Sequence, residues 1–177
     1  VRALRAFAYF YMVRIWGDVP LVTYSYDNGT FPSMPRTGAQ TVLSYAKAEL
    51  LTAIKDLPYQ YGTQTNLYYG SYGAQWQGKL FNKLSAYSVL AHICAWQGNY
   101  AETETYSAFI LDHASEINAK YTSITDLTSE TGLFYSNASV KGSRILGFNF
   151  AHNDNEAKLN PKILEPVLLE CECKRFK

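Results

Sequence analysis

Between Leu4 and Trp16 almost every position is apolar. Leu4, Phe7, Ala8, Tyr11 and Ile15 recur at helical spacing, while Tyr9, Phe10, Met12, Val13 and Trp16 carry apolar character onto the other faces. A helix of this kind belongs in a core. Gly17 accepts a left-handed conformation and Pro20 cannot donate into a continuing helix, so the element is predicted to stop near Trp16, which packs at its end. Gly17 then turns the chain, and Asp18 is placed to hydrogen-bond backbone in the turn. A membrane span is the competing reading, but Arg5 and Arg14 bracket fewer apolar residues than the roughly 20 needed to cross a bilayer.

The pattern then breaks. Thr23 to Pro35 is rich in Gly, Asn, Ser and Pro and reads as an irregular connection. Thr37 followed by Gln40 has capping-box spacing. Beyond it Val42, Ala46, Glu49, Leu50, Ala53 and Leu57 mark a helix with one apolar stripe, with Lys47 and Lys55 on its wet side and Pro58 closing it. Tyr59 to Gly78 interleaves Tyr59, Tyr61, Tyr68, Tyr69, Tyr72 and Trp76 with four glycines. Long loops in compact domains are functional or disordered, and this aromatic content argues against disorder. Its tyrosines either staple the loop to the helices or contact a ligand.

Lys79 to Trp96 is the second strong helix, with Leu80, Leu84, Tyr87, Ala91, Cys94 and Ala95 as its apolar stripe. Gln97 to Ala101 is a tight turn in which Asn99 caps a fourth helix, with Glu102 three residues on. That helix runs from Tyr100 to about Ala114, with Ala101, Ala108 and Leu111 on one side. The hairpin resembles a tetratricopeptide repeat. An internal echo agrees with this: at an offset of 80, Leu4 falls on Leu84, Ala6 on Ala86 and Trp16 on Trp96, and Gly17 and Gly98 follow the two tryptophans. Thr122 to Gly142 is Ser/Thr-rich, and Arg144 to Phe150 alternates as a short strand does. The expected fold is all-α, built of tetratricopeptide-like antiparallel helical hairpins with long loops, with one short strand near the C-terminus. Residues 1–150 form the helical region and 151–177 a separate tail.

Composition narrows the function classes. A net charge of +1 with 18% charged residues carries no basic excess for nucleic acid. Fifteen tyrosines suit sugar rings and protein contacts, but they equally fill gaps between helices. Cys94, Cys171 and Cys173 have no disulfide-framework spacing; Cys94 reads as core, and Cys171 and Cys173 lack the partners of a zinc site. His92, His113 and His152 lie on unrelated segments, with no nucleophile–base, zincin or phosphate-loop motif, so no enzyme, cofactor or metal is expected. His92 reads as a partly buried, hydrogen-bonded residue of its helix.

The segment Leu4-Arg5-Ala6 through Tyr9-Phe10 to Trp16-Gly17-Asp18-Val19-Pro20-Leu21 resembles the hallmark of the SusD/RagB family, as do Arg36, Thr37, Tyr45, Glu49, Leu50, Ala53, Ile54, Leu57 and Pro58. The resemblance reaches to about Phe150. It implies an internal fragment of a non-catalytic, glycan-binding lipoprotein of the Bacteroidetes outer membrane, exposed at the surface. Its signal peptide and lipid-bearing cysteine would lie upstream of Val1. It further implies that the protein captures oligosaccharides and delivers them to a SusC-like TonB-dependent transporter. The family's sugar contacts lie largely outside the matching segment, so the ligand-binding candidates rest on this sequence alone: Tyr68, Tyr69, Tyr72 and Trp76. A protein-binding tetratricopeptide-like scaffold without sugar binding is the alternative.

Overall fold

A computed structural model describes residues 1–26, 29–61 and 80–117, together with 119, 124, 145 and 146. Four helices account for most of them: α1 (Arg2–Trp16), α2 (Ala39–Ala53), α3 (Lys83–Trp96) and α4 (Tyr100–Asp112), followed by a 3-10 turn at Ala114–Ile117. Of the expected strand only Ile145 and Leu146 are described, and they form a bend; the tail and its boundary lie outside the described residues.

The helices pair as antiparallel hairpins. The N-terminal end of α1 meets the C-terminal half of α2, where Glu49 accepts hydrogen bonds from Arg2 Nη1 at 2.9 Å and from Arg5 Nη2. Farther along, the rings of Tyr9 and Tyr45 meet edge to face at 6.0 Å. In the second pair Tyr87 packs on Phe109 at 4.1 Å and on Tyr106 at 5.8 Å. Phe7 touches Phe81, and Arg14 lies over Trp96, so α1 and α3 run in the same direction, as equivalent helices of successive repeats do.

The echo at 80 residues has a physical counterpart in burial. Ala6, Tyr9, Phe10 and Val13 of α1 are buried, and so are Ala86, Val89, Leu90 and Ile93 at the same offset in α3. Together with Val42, Leu43, Ala46 and Leu50 they form one core. Of the residues at helical spacing in α1, Leu4, Ala8, Tyr11 and Ile15 are exposed, and Phe7 alone packs against the core. Leu4 is 55% exposed whereas its counterpart Leu84 is 0% exposed. Tyr11, Ile15 and Trp16 are exposed too, so Trp16 does not pack at the helix end. The cause is position in the array: among the described residues α3 packs against α1, α2 and α4, while the main neighbours of α1 are α2 and α3. Near-uniform apolarity gives helical periodicity no polar face by which to choose between the two sides.

Helix ends hold a second correction. Thr37 does not cap α2; its N–H and carbonyl pair with Val19 in an isolated antiparallel bridge, at 2.9 and 3.3 Å. The N-cap is Gly38, without a side chain to offer, and Asp18 Oδ1 accepts the Ala39 N–H at 2.8 Å instead. The Tyr9 hydroxyl holds the same connection by donating to the Val22 carbonyl at 2.9 Å and accepting from the Val22 N–H at 2.8 Å. Gly17, at φ 69°, supplies the left-handed turn that aims Asp18 there. Asp18→Ala removes that cap and is expected to cost about 1 kcal/mol in urea denaturation, with little loss in Asp18→Asn.

Helix α3 begins four residues later than its pattern suggests. Asn82 accepts the Ser85 N–H and Ser85 Oγ accepts the Asn82 N–H, both at 2.8 Å. This reciprocal box ends the preceding turn before the helix starts. The turn to α4 follows expectation. The Gly98 N–H reaches the Ala95 carbonyl at 3.1 Å and the Asn99 N–H the Cys94 carbonyl at 2.9 Å, with Gly98 at φ 78°. Asn99 then caps α4 through the Glu102 N–H. In α4 the packed side is that of Tyr106 and Phe109, whereas Ala101, Ala108 and Leu111 face outward. His92, expected to be partly buried, is exposed.

Lys47, assigned to a wet face, ties the two hairpins together by donating to Glu102. The Cys94 thiol, buried as expected, donates to the same carboxylate at 3.5 Å. The Lys47 ammonium holds the Glu102 carboxyl below its ordinary range, and burial pushes the Cys94 thiol up. This is a structural junction: the thiol is kept protonated and unreactive.

Candidate functional site

The predicted ligand residues Tyr68, Tyr69, Tyr72 and Trp76 lie outside the described residues. At the edges of their stretch the tyrosines serve packing. The Tyr61 hydroxyl donates to the Phe81 carbonyl at 2.6 Å, joining the two ends of the stretch. Tyr59 stacks on His113 with ring centroids 5.7 Å apart, under the Lys83 ammonium. For these two residues stapling is the role observed. No group of three or more potential metal ligands occurs among the described residues, and no described helix is long and apolar enough to cross a membrane.

Two exposed aromatic groupings stand out. One lies where α1 meets α3: the Arg14 guanidinium is 5.3–5.6 Å from the ring centroids of Phe10, Tyr11 and Trp96, with Tyr11 and Trp96 both exposed. A cation set over rings in this way is attracted by their electron-rich faces. Trp, Tyr and Arg are also the residues that carry most contact energy where proteins meet.

No periodicity in the sequence marks the other grouping. It sits on the connection between α1 and α2, in the stretch read only as irregular. Tyr24 packs on Tyr26 and Tyr26 on Phe31, each pair with centroids 4.9 Å apart, at 49° and 67° between ring planes. The Tyr26 hydroxyl donates to the Tyr24 hydroxyl at 2.9 Å, and that bond pushes the Tyr26 phenol up to about 12. Tyr24 and Phe31 are nevertheless 63% and 64% exposed. The signal available in sequence is a Tyr-x-Tyr with a Phe five residues on, in a segment otherwise dominated by turn formers.

A solved structure of a SusD superfamily protein from Bacteroides thetaiotaomicron VPI-5482 matches 85% of this chain at 97% identity, with a TM-score of 0.76. The chain belongs to the SusD superfamily. It spans 33% of the length of that SusD protein. Two more distant SusD-type structures share its fold. A SusD-like carbohydrate-binding protein from Bacteroides fragilis is 23% identical, with 63% of this chain and 20% of that one covered and a TM-score of 0.51. Surface glycan-binding protein A from Bacteroides uniformis is 20% identical, with 68% and 24% covered and a TM-score of 0.53. No family model and no curated protein matches the sequence.

The SusD hallmark now has a local physical meaning. Asp18 of the Trp-Gly-Asp-Val-Pro-Leu run caps α2, Val19 pairs with Thr37 and is buried, and Tyr9 grips Val22. Arg5 of the same hallmark meets Glu49 of the second matching segment. The motif residues fasten the first hairpin together.

Proposed function

We propose that this SusD-like chain forms part of a non-catalytic glycan-binding lipoprotein, exposed on the cell outer membrane, that captures oligosaccharides and passes them to a SusC-like TonB-dependent transporter. The observation that carries the reading is the 97% identity to a SusD superfamily protein over most of the chain. Solved proteins of the same fold are described as carbohydrate-binding and as a surface glycan-binding protein, which supports a sugar as cargo. Rigid, packed helical pairs suit the task of holding a binding surface, since preorganised side chains lose little freedom when a ligand arrives. The exposed Tyr11, Arg14 and Trp96 grouping supports the partner half of the proposal.

The test uses the full-length protein, affinity-tagged in its native cell and extracted from membranes with detergent. Co-purification of a TonB-dependent barrel, together with oligosaccharide binding that leaves the number of reducing ends unchanged, is the expected result. Recovery of a cytoplasmic partner alone, with no sugar bound, favours the tetratricopeptide-like scaffold instead.

A further inference from the structure

From its exposed and mutually packed rings, we infer that Tyr24, Tyr26 and Phe31 form a sugar-stacking site for a neutral oligosaccharide in solution. The inference rests on the glycan-binding reading and names residues for it.

Three observations converge on this site. The first is exposure without a structural reason. Tyr24 and Phe31 leave nearly two-thirds of their surface in water, and neither belongs to the core or to the partly buried residues packed against it. Aromatic rings usually lose such area to packing.

The second is preorganisation. The segment is anchored at one end by the two Tyr9 bonds to Val22, and at the other by the Val19–Thr37 bridge and the Asp18 cap. Between those anchors the rings hold one another through two contacts and a hydroxyl–hydroxyl bond. Tyr and Phe have only two side-chain torsions, so a ligand meeting this cluster pays little for ordering it.

The third is chemistry. A pyranose offers one face of C–H groups and a rim of hydroxyls. The C–H face packs on an aromatic ring, and the rim needs donors and acceptors beside that ring. The Tyr24 hydroxyl accepts from Tyr26 and keeps its own proton to donate. The rings themselves carry no charge, which matches a neutral sugar and supplies no cation to pair with a phosphate or sulfate.

Geometry refines the ligand class. Planes inclined at 49° and 67° cannot all lie against one flat surface. A flat, sheet-like polysaccharide cannot lie face-on against all three rings, whereas an oligosaccharide that turns from one residue to the next can follow the step between them. Short soluble chains are therefore the expected ligands.

The experiment titrates the full chain with three neutral hexasaccharides, maltohexaose, laminarihexaose and xylohexaose, by calorimetry and by aromatic-region NMR. Tyr24→Ala, Phe31→Ala and Tyr24→Phe are compared with the parent. At least one sugar is expected to bind and to shift the Tyr24 and Phe31 ring resonances. Each alanine change should weaken binding roughly tenfold with the melting temperature unaltered, and Tyr24→Phe should retain most of the affinity. Binding that leaves those resonances and the alanine variants' affinities unchanged overturns the site while leaving glycan binding intact. Absence of binding by the parent chain to all three sugars overturns the site. If the full-length protein binds none of them either, the glycan reading loses support with it.

Discussion

Leu90→Ala should lower stability by about 3 kcal/mol and the melting temperature by roughly 6–12 °C. Leu90 is fully buried on α3, in the core that it shares with α1 and α2. Truncation forfeits the transfer energy of the lost methyl groups and leaves a void between the two hairpins, walled by side chains already packed from three helices. The comparison that gives the result meaning is Leu4→Ala, at a position of the same residue type on the outer face of α1. With half its surface in water, Leu4 should cost less than about 0.5 kcal/mol in the same chain. Urea denaturation of both variants checks the pair. Equal losses would show that the open face of α1 is covered in solution.

Glu49→Ala is expected to cost about 2 kcal/mol. Glu49 is 8% exposed, and its carboxylate holds Arg2 and Arg5 at the opposite end of the first hairpin from the Asp18 cap. Removing one partner of a buried ion pair costs about 3–5 kcal/mol, because the survivor stays desolvated. Here the arginine side chains are 56% and 34% exposed, so water recovers part of the loss. Arg5 suffers most: its Nε is buried with no hydrogen-bond partner even in the intact protein. The adjacent Glu49 bond raises the Arg5 guanidinium above its usual range, consistent with a cation stabilised by that contact. Glu49→Gln keeps acceptor capacity and should recover about half of the loss; equal losses in the two variants would mean that charge, not hydrogen bonding, holds the helices.

Where a helix made its decisive contacts locally, its sequence was enough to place it. Asn99 caps α4 through the N–H three residues on, and Val42, Ala46, Glu49 and Leu50 of the α2 stripe are buried as their spacing implies, although the helix stops at Ala53, short of Leu57. Long-range contacts were hidden. The cap of α2 comes from Asp18, far upstream, and no local pattern joins an aspartate in one turn to a backbone N–H in another. Glu49 fits the apolar stripe by position, but the reason a carboxylate is tolerated there lies on α1. The choice of buried face on α1 depends on which neighbours exist, a fact of the assembled array that the residues of α1 do not encode. At the level of function, the hallmark residues pointed to the family, and the structure gives them scaffold roles. The Tyr24–Tyr26–Phe31 cluster is hard to read from sequence because turn-rich segments offer no periodicity against which three aromatics register.

The clasp around Val19 and Thr37 also bears on how such a protein can change over generations. Its contacts bring the ends of residues 23–36 together using groups that belong to the hairpin itself, namely the Tyr9 bonds to Val22, the Val19–Thr37 bridge and the Asp18 cap on Ala39. Once those ends are tied, doubling the length of the intervening segment adds only about 0.6 kcal/mol of closure entropy. The segment is thus a cassette, free to gain, lose or exchange residues while the helices keep their register. On the proposed sugar-stacking role, diversity of ligand preference can accumulate there without a matching search for a new scaffold.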